Sequence, residues 1–339
     1  IQKTHEVARE SLRLSKQFND SILSGSNVTK ALEDIADKAH KLQKSISLGG
    51  ISADMQKKFN ASIFDYSEEI EEPDYVFSIE VDSKWYGQAC LGDIVVIGGA
   101  SGSKKTTFLR GCMISGITNV PSNGWEVKLS DSGMMAFVDT EQPFHRFQRT
   151  QKKIFDQSGI RDTDKYIATS LRQFSKTDKL ILIEKMLKEN SNIEVLVIDG
   201  IVDLIEDFND NKSSGKVIDD IMRMTDEYQV LLMTVLHTNP STDKLRGHAG
   251  TILKQKADCY LYLSVDSKEL EENGSSALTK VIVKKSRETI APTHEFGLDG
   301  NWNVFRDGYD KGQSTDKAFK QFDDTDTSWM NKDNEDVPF

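Results

Sequence analysis

The chain has 339 residues, enough for one large domain with appendages or for two domains. Its 54 Asp and Glu against 43 Lys and Arg leave a formal charge of -11. That balance excludes a protein coated in basic surface, though not a basic channel inside an acidic exterior. Hydrophobic residues make up 37% and mean hydropathy is -0.48, which fits a soluble protein with a modest core. No run approaches the ~18 apolar residues of a membrane span, so no membrane is expected. Cys90, Cys112 and Cys259 are widely spaced, which points to a reducing cytoplasm and to neither a disulfide frame nor a metal cluster. No signal-peptide pattern is present, and the opening Ile reads as a processed or truncated end.

Residues 1–72 carry helical periodicity without chemistry. Ala8, Leu12 and Leu14, then Ala31, Leu32, Ile35, Ala36, Ala39 and Leu42, fall near i, i+3, i+4, i+7 spacing. Gly25-Ser26-Asn27-Val28-Thr29 separates the two runs, with Asn27 or Thr29 placed to cap the second helix. Such a region reads as a small helical domain or an oligomerisation collar, with a partner-binding helix as the alternative. Ser67 to Asp74 is acidic, runs into Pro73 and reads as a linker.

Over residues 73–310 apolar runs alternate with helical stretches, which predicts an α/β fold on a mainly parallel twisted sheet. Strands are predicted at Ile94–Gly98, Met135–Asp139, Val195–Asp199, Leu231–Leu236, Tyr260–Val265 and Thr279–Val283. Helices are predicted at about Thr106–Ile117, Pro143–Gln157, Lys176–Lys188 and Lys216–Tyr228. Residues 311–339 are polar and acidic with little periodicity, which predicts a disordered tail.

The first strand runs into Gly98-Gly99-Ala100-Ser101-Gly102-Ser103-Lys104-Lys105-Thr106-Thr107 and then into a helix. Strand, glycine-rich loop and Lys-Thr at a helix start form the layout of a nucleotide-phosphate cradle. Loop N–H groups and the helix dipole face the phosphates. Lys105 reaches the β/γ-phosphates, and the Thr106 hydroxyl holds Mg²⁺. The pattern G-x-x-x-x-G-K-[ST] maps onto Gly99–Thr106 with Lys104 where its last glycine belongs. A register with Lys104 as the phosphate lysine puts Lys105 in the hydroxyl position and loses the Mg²⁺ ligand, so Lys105 is preferred. Lys104 is expected to crowd the loop, to bring a second charge near the phosphates and to alter turnover.

Three further strand ends carry polar groups. Ile193 to Asp199 is an apolar strand ending in a carboxylate suited to hold Mg²⁺ beside the loop, although such an Asp also serves as an ordinary turn or cap. Phe137-Val138-Asp139-Thr140-Glu141 offers Glu141 as base or orienter for the attacking water, against the plainer reading of a surface glutamate. His237, closing Leu231–Leu236, is placed to sense the γ-phosphate or to serve as a structural histidine. The following loop, Pro240 to His248, contains Lys244, Arg246 and His248 and suits a phosphodiester grip or a plain solvated loop. Lys285 and Arg287 close the last strand. On a strand at the sheet's edge they would miss their own phosphate loop and reach a neighbour's as a finger in trans; a solvated hairpin end is the bland alternative.

In this order these elements resemble the RecA-like P-loop ATPase family, over about Gly92 to Phe305. Within it they resemble the branch holding RepA- and DnaB-type hexameric helicases, KaiC ATPases and RadA recombination proteins. The resemblance implies ATP with Mg²⁺, and assigns Glu141, Asp199, His237 and the Lys285-x-Arg287 pair to the family's base, metal, sensor and trans-finger positions. It further implies a ring or filament of like subunits, single-stranded DNA as partner, and work in replication or recombination. Val235 to His248 is most like RepA-type ATPases of phages and mobile elements, which implies the cytoplasm of a bacterium or phage-infected cell. Separately, Asp333 to Phe339 looks like the acidic tip of bacterial single-stranded-DNA-binding proteins, and Asp336, Val337, Pro338 and Phe339 are its candidate docking residues. The sequence leaves three functions open: a DNA-dependent helicase, a recombination or annealing ATPase, and a DNA-binding protein or nucleotide switch without motor activity.

Overall fold

The computed structural model describes residues 16, 53–65, 67, 74–159, 164–207, 210–238, 245, 247–273, 277–298 and 304–306. The chain divides into two units, Ile1–Glu72 and Pro73–Phe339. In the first, the described helix is α1, Ala53–Ala61. The periodic stretches from Ala8 to Leu42, most of the acidic linker and all of 311–339 lie outside the described residues. No described helix is long and apolar enough to cross a membrane.

The second unit opens with β1 (Phe77–Val81) and β2 (Lys84–Ala89), paired antiparallel through the two-residue turn Asp82-Ser83. Both turn residues have positive φ, 50° and 60°, the twist a tight hairpin demands. β4 (Trp125–Val127) pairs with the other edge of β1, giving a small sheet of order β2-β1-β4.

The main sheet has nine described strands. β3 (Ile94–Gly99), β5 (Met134–Asp139), β6 (Tyr166–Ser170), β7 (Ile193–Asp199), β8 (Leu231–His237) and β9 (Cys259–Val265) run parallel in the order β9-β3-β8-β7-β5-β6. β10 (Thr279–Ser286), β11 (His294–Leu298) and β12 (Val304–Arg306) continue beyond β9 as an antiparallel flank. The central strands read as unbroken apolar runs because both their faces are covered. Alternate residues feed two cores. Val95, Ile97, Val195, Val197 and Met233 pack with Phe108 and Met113 of α2 (Lys105–Thr118) and with Ile154 of α3 (Phe144–Ser158). Ile94, Val96, Leu196, Ile198 and Leu232 pack with Ile183 of α4 (Lys176–Glu189), Ile218 of α5 (Asn211–Tyr228) and Leu253 of α6 (Gly247–Lys256). A short helix, α7 (Ser267–Asn273), links β9 to β10.

All six strands expected from the sequence are present. The sequence reading omits β1, β2, β4, β6, β11, β12 and α6, and begins α5 five residues late. β10 is also not an edge strand, since β11 and β12 lie outside it. The premise that placed Lys285 and Arg287 at the sheet's edge is therefore corrected. What keeps them from their own phosphate loop is the end of the strand they occupy: Ser286 pairs with Cys259, at the start of β9, while the loop follows the far end of β3.

Candidate functional site

β3 delivers Gly99 to the carboxyl edge of the sheet, with β9 on one side and β8 on the other. A Cβ on Gly99 would lie 2.4 Å from Ser103 Oγ and 2.6 Å from the Leu263 carbonyl, so only glycine fits there. The chain then turns through two left-handed residues, Gly102 at φ 81° and Lys104 at φ 62°, before α2 begins at Lys105. Lys104 thus adopts the backbone conformation that favours the consensus glycine, at a cost of about 1 kcal/mol for a side chain there. Its ammonium donates to the Ala277 carbonyl, just before β10. The expected crowding of the loop is corrected: the turn keeps its shape because the side chain leaves it.

The start of α2 carries no side-chain cap and no acid in its first turn, which leaves N–H groups and the dipole's positive end for an anion. Lys105 is 7% exposed. Its Nζ donates to the Gly99 and Ala100 carbonyls at 2.8 Å each and lies 3.5 Å from Ser103 Oγ. Burial lowers its pKa to about 8, against the pull of Asp199 and Glu141. The loop therefore holds a buried cation against its own oxygens, where phosphate oxygens are the natural replacement.

Asp199 ends β7, two strands from β3, yet its Oδ2 accepts a hydrogen bond from Thr106 Oγ1 at 3.0 Å across the end of β8. Burial raises its pKa to about 6, while the Thr106 hydroxyl opposes that shift. Asp139 lies opposite Asp199 in the β5–β7 register. Its Oδ1 accepts the N–H groups of Glu141 at 3.0 Å and Gln142 at 2.7 Å, fixing the turn that presents Glu141. Thr140 Oγ1 donates to the Asp199 and Gly200 carbonyls at 3.0 and 2.8 Å and ties the two strand ends together. Burial, then the carboxylates of Asp203, Asp199 and Asp139, push the Glu141 pKa up to about 7. Gly200, at φ 102°, leaves room for this: a Cβ there would meet Thr140 Oγ1 at 2.5 Å and Glu141 Cγ at 2.7 Å.

His237 pairs with Gly99 in the β3–β8 register, and its Nδ1 is 3.4 Å from Lys105 Nζ. Thr238 N–H donates to the Gly99 carbonyl at 3.2 Å, so the loop after β8 starts directly on the phosphate loop. Of that loop, Leu245 is buried and bridges to Thr238. Gly247 and His248 belong to the first turn of α6 rather than to the loop, a correction to its expected extent. Lys244 and Arg246 lie outside the described residues, as do Asp336, Val337, Pro338 and Phe339.

Lys105, Thr106, Glu141, Asp199 and His237 thus share the carboxyl edge of the sheet, whereas Lys285 and Arg287 stand at the opposite edge. Lys285 Nζ donates to the Ala257 carbonyl, to Gln255 at 2.8 Å and to Lys254 at 3.3 Å, closing the carboxyl end of α6. Arg287 Nε is 2.8 Å from Asp258 Oδ1 and the side chain is 64% exposed. The sequence reading missed Asp139, Thr140 and Gly200. An Asp-Gly pair after an apolar strand signals a turn, but nothing in it indicates which side chain the missing Cβ admits.

The donor set fits a nucleotide with Mg²⁺: a buried lysine on loop oxygens, and a hydroxyl already beside a carboxylate. Among the described residues no group of three or more His, Cys, Asp and Glu is able to hold a metal ion. Thr106 and Asp199 would therefore hold Mg²⁺ together with phosphate oxygens from the nucleotide.

Strand order, phosphate loop and the Thr106–Asp199 pair define a RecA-like P-loop nucleotide-binding domain. Residues 80–243 match a family model described as AAA domain. Among solved structures, the ATPase domain of a replicative helicase of the DnaB family aligns with a TM-score of 0.46 and 14% identity, over 63% of this chain and 84% of that one. No curated protein matches.

Proposed function

We propose that the chain is a DNA-dependent ATPase of replication or recombination, a RepA-like ring helicase that hydrolyses ATP between subunits. One observation carries this reading. The phosphate, metal and base residues meet at one edge of the sheet, while the exposed Arg287 stands at the other. A cation there serves a phosphoryl transfer only on a neighbouring copy, and a head-to-tail contact of that kind generates rings or filaments.

The roles follow from position. Loop N–H groups and Lys105 receive the β- and γ-phosphates. Mg²⁺, where held by Thr106 and Asp199, supplies charge neutralisation between those phosphates. Glu141, with its pKa near 7, orients the attacking water and takes its proton as water oxygen bonds to the γ-phosphorus and the bond to ADP breaks. His237, between Lys105 and the loop after β8, passes the state of the γ-phosphate to Lys244, Arg246 and His248, which grip single-stranded DNA. Asp336 to Phe339 dock replication or recombination proteins. A recombination or annealing ATPase would use the same parts. A second reading, a nucleotide switch or loader without motor activity, is favoured by the lysine in the left-handed position of the loop.

Steady-state ATP hydrolysis with and without single-stranded DNA, on this chain and on Lys105→Ala, tests the proposal. Strong DNA stimulation that vanishes in Lys105→Ala is the expected result. Nucleotide binding without hydrolysis in the parent chain would move the reading to the switch.

A further inference from the structure

α3 is charged unlike the other long helices of this acidic chain. In α4 and α5 exposed cations meet carboxylates: Lys188 and Arg223 pair with Glu184, Lys185 with Glu189, and Arg223 with Glu227. In α3 the exposed Arg146, Arg149 and Lys152 form no ion pair among the described residues, and the helix's one acid, Asp156, lies in its last turn. Arg146 also sits in the first turn, where the dipole favours anions and a cation typically costs about 0.3–1 kcal/mol. At spacings of three residues these charges crowd one side of the helix, opposite the buried Phe147 and Ile154. The fold gains nothing from such a row, so its natural complement is a polyanion.

An aromatic completes the surface. Phe144, at the start of α3, is 61% exposed. Its ring stacks on Phe147 at a centroid distance of 5.8 Å, and Phe147 stacks on Phe137 of β5 at 6.4 Å. The exposed ring is thus anchored to the core, which makes it a fixed platform beside cations rather than a loose apolar side chain. An acidic peptide has no use for a stacking face; an unpaired nucleobase does.

We infer that the exposed face of α3 is a second contact surface for single-stranded nucleic acid, with Arg146, Arg149 and Lys152 on phosphates and Phe144 under a base. This rests on the DNA-dependent reading above and adds a site outside the loop after β8. It also supplies a route to the chemistry. Only Gln142 and Pro143 separate Glu141 from α3, and the Pro143 carbonyl accepts from the N–H groups of Arg146 and Phe147. A strand drawn against α3 therefore acts on the turn that carries Glu141.

The test is anisotropy titration of a labelled single-stranded oligonucleotide with the full chain, across a salt series. Variants are Arg146→Gln/Arg149→Gln/Lys152→Gln together, and Phe144→Ala alone. Removing three phosphate contacts should flatten the slope of log K against log salt by about 2. Phe144→Ala should weaken binding about tenfold at unchanged slope. The triple variant should keep basal ATPase and melt no lower than the parent, yet lose DNA stimulation. Parent-like binding by the triple variant overturns the α3 site while leaving the DNA-dependent reading in place. No binding by the parent chain overturns both. If the triple variant instead loses only the binding of a peptide spanning residues 323–339, the face serves the chain's own acidic segment and the inference fails.

Discussion

Glu141 has a raised pKa because the turn that presents it also gathers Asp139, Asp199 and Asp203 around it. The folded chain binds this proton more tightly than the unfolded chain, whose carboxyl titrates near 4.5. Stability of the nucleotide-free protein on this account therefore falls as pH rises from about 4.5 through about 7. Glu141→Gln should raise the melting temperature at pH 8, leave it nearly unchanged at pH 5 and abolish hydrolysis. A melting curve at each pH checks the sign. Gly200→Ala makes the opposite point. Its methyl group enters the space of Thr140 and Glu141 at a φ of 102°. It should cost at least about 1–2 kcal/mol in denaturant unfolding, and should lower kcat more than it raises KM, because Glu141 is displaced and the phosphate loop is not. Lys105, Thr106, Asp199 and His237 are legible in the sequence because each terminates or follows an apolar strand. Lys104 reads there as an obstruction because a one-dimensional motif carries neither the backbone φ nor the Ala277 carbonyl that takes the ammonium.

Helices and strands differ in how much of their role the chain announces. β3, β5, β7, β8 and β9 are legible because burial on both faces demands unbroken apolar runs. β6 is not: it closes the parallel edge with the short, half-polar Tyr-Ile-Ala-Thr-Ser. α6 opens on Gly247-His248-Ala249-Gly250, and two glycines in its first turn disguise a helix as loop. The largest gap concerns β10. Its apolar alternation is visible, but which edge of the sheet its end occupies depends on antiparallel pairing with β9. That placement gives Lys285 and Arg287 different duties. Lys285 closes α6, so Lys285→Met should cost about 1–2 kcal/mol of stability together with any loss of activity. Arg287 holds only a largely solvated pair with Asp258, so Arg287→Ala should change stability by less than about 1 kcal/mol while removing hydrolysis. Thermal melts beside ATPase assays separate the two.

At the scale of the whole molecule, a chain of charge -11 keeps its unneutralised helical cations on α3, next to the turn that carries Glu141. Carboxylates elsewhere steer a polyanion away from unspecific contact, at some loss of association rate as salt falls. The catalytic centre on this account is divided between copies. Phosphate, metal and base residues come from one subunit, and Arg287 comes from the next. Mixing subunits tests that division most directly. Arg287→Ala and Glu141→Ala should each be inactive alone. Combined in equal amounts under conditions that let subunits exchange, they rebuild intact interfaces at about one in four contacts, and ATP hydrolysis should return to about a quarter of the parent rate. Full activity of Arg287→Ala alone, or no recovery in a mixture shown to contain both variants in one assembly, would contradict a site shared between subunits.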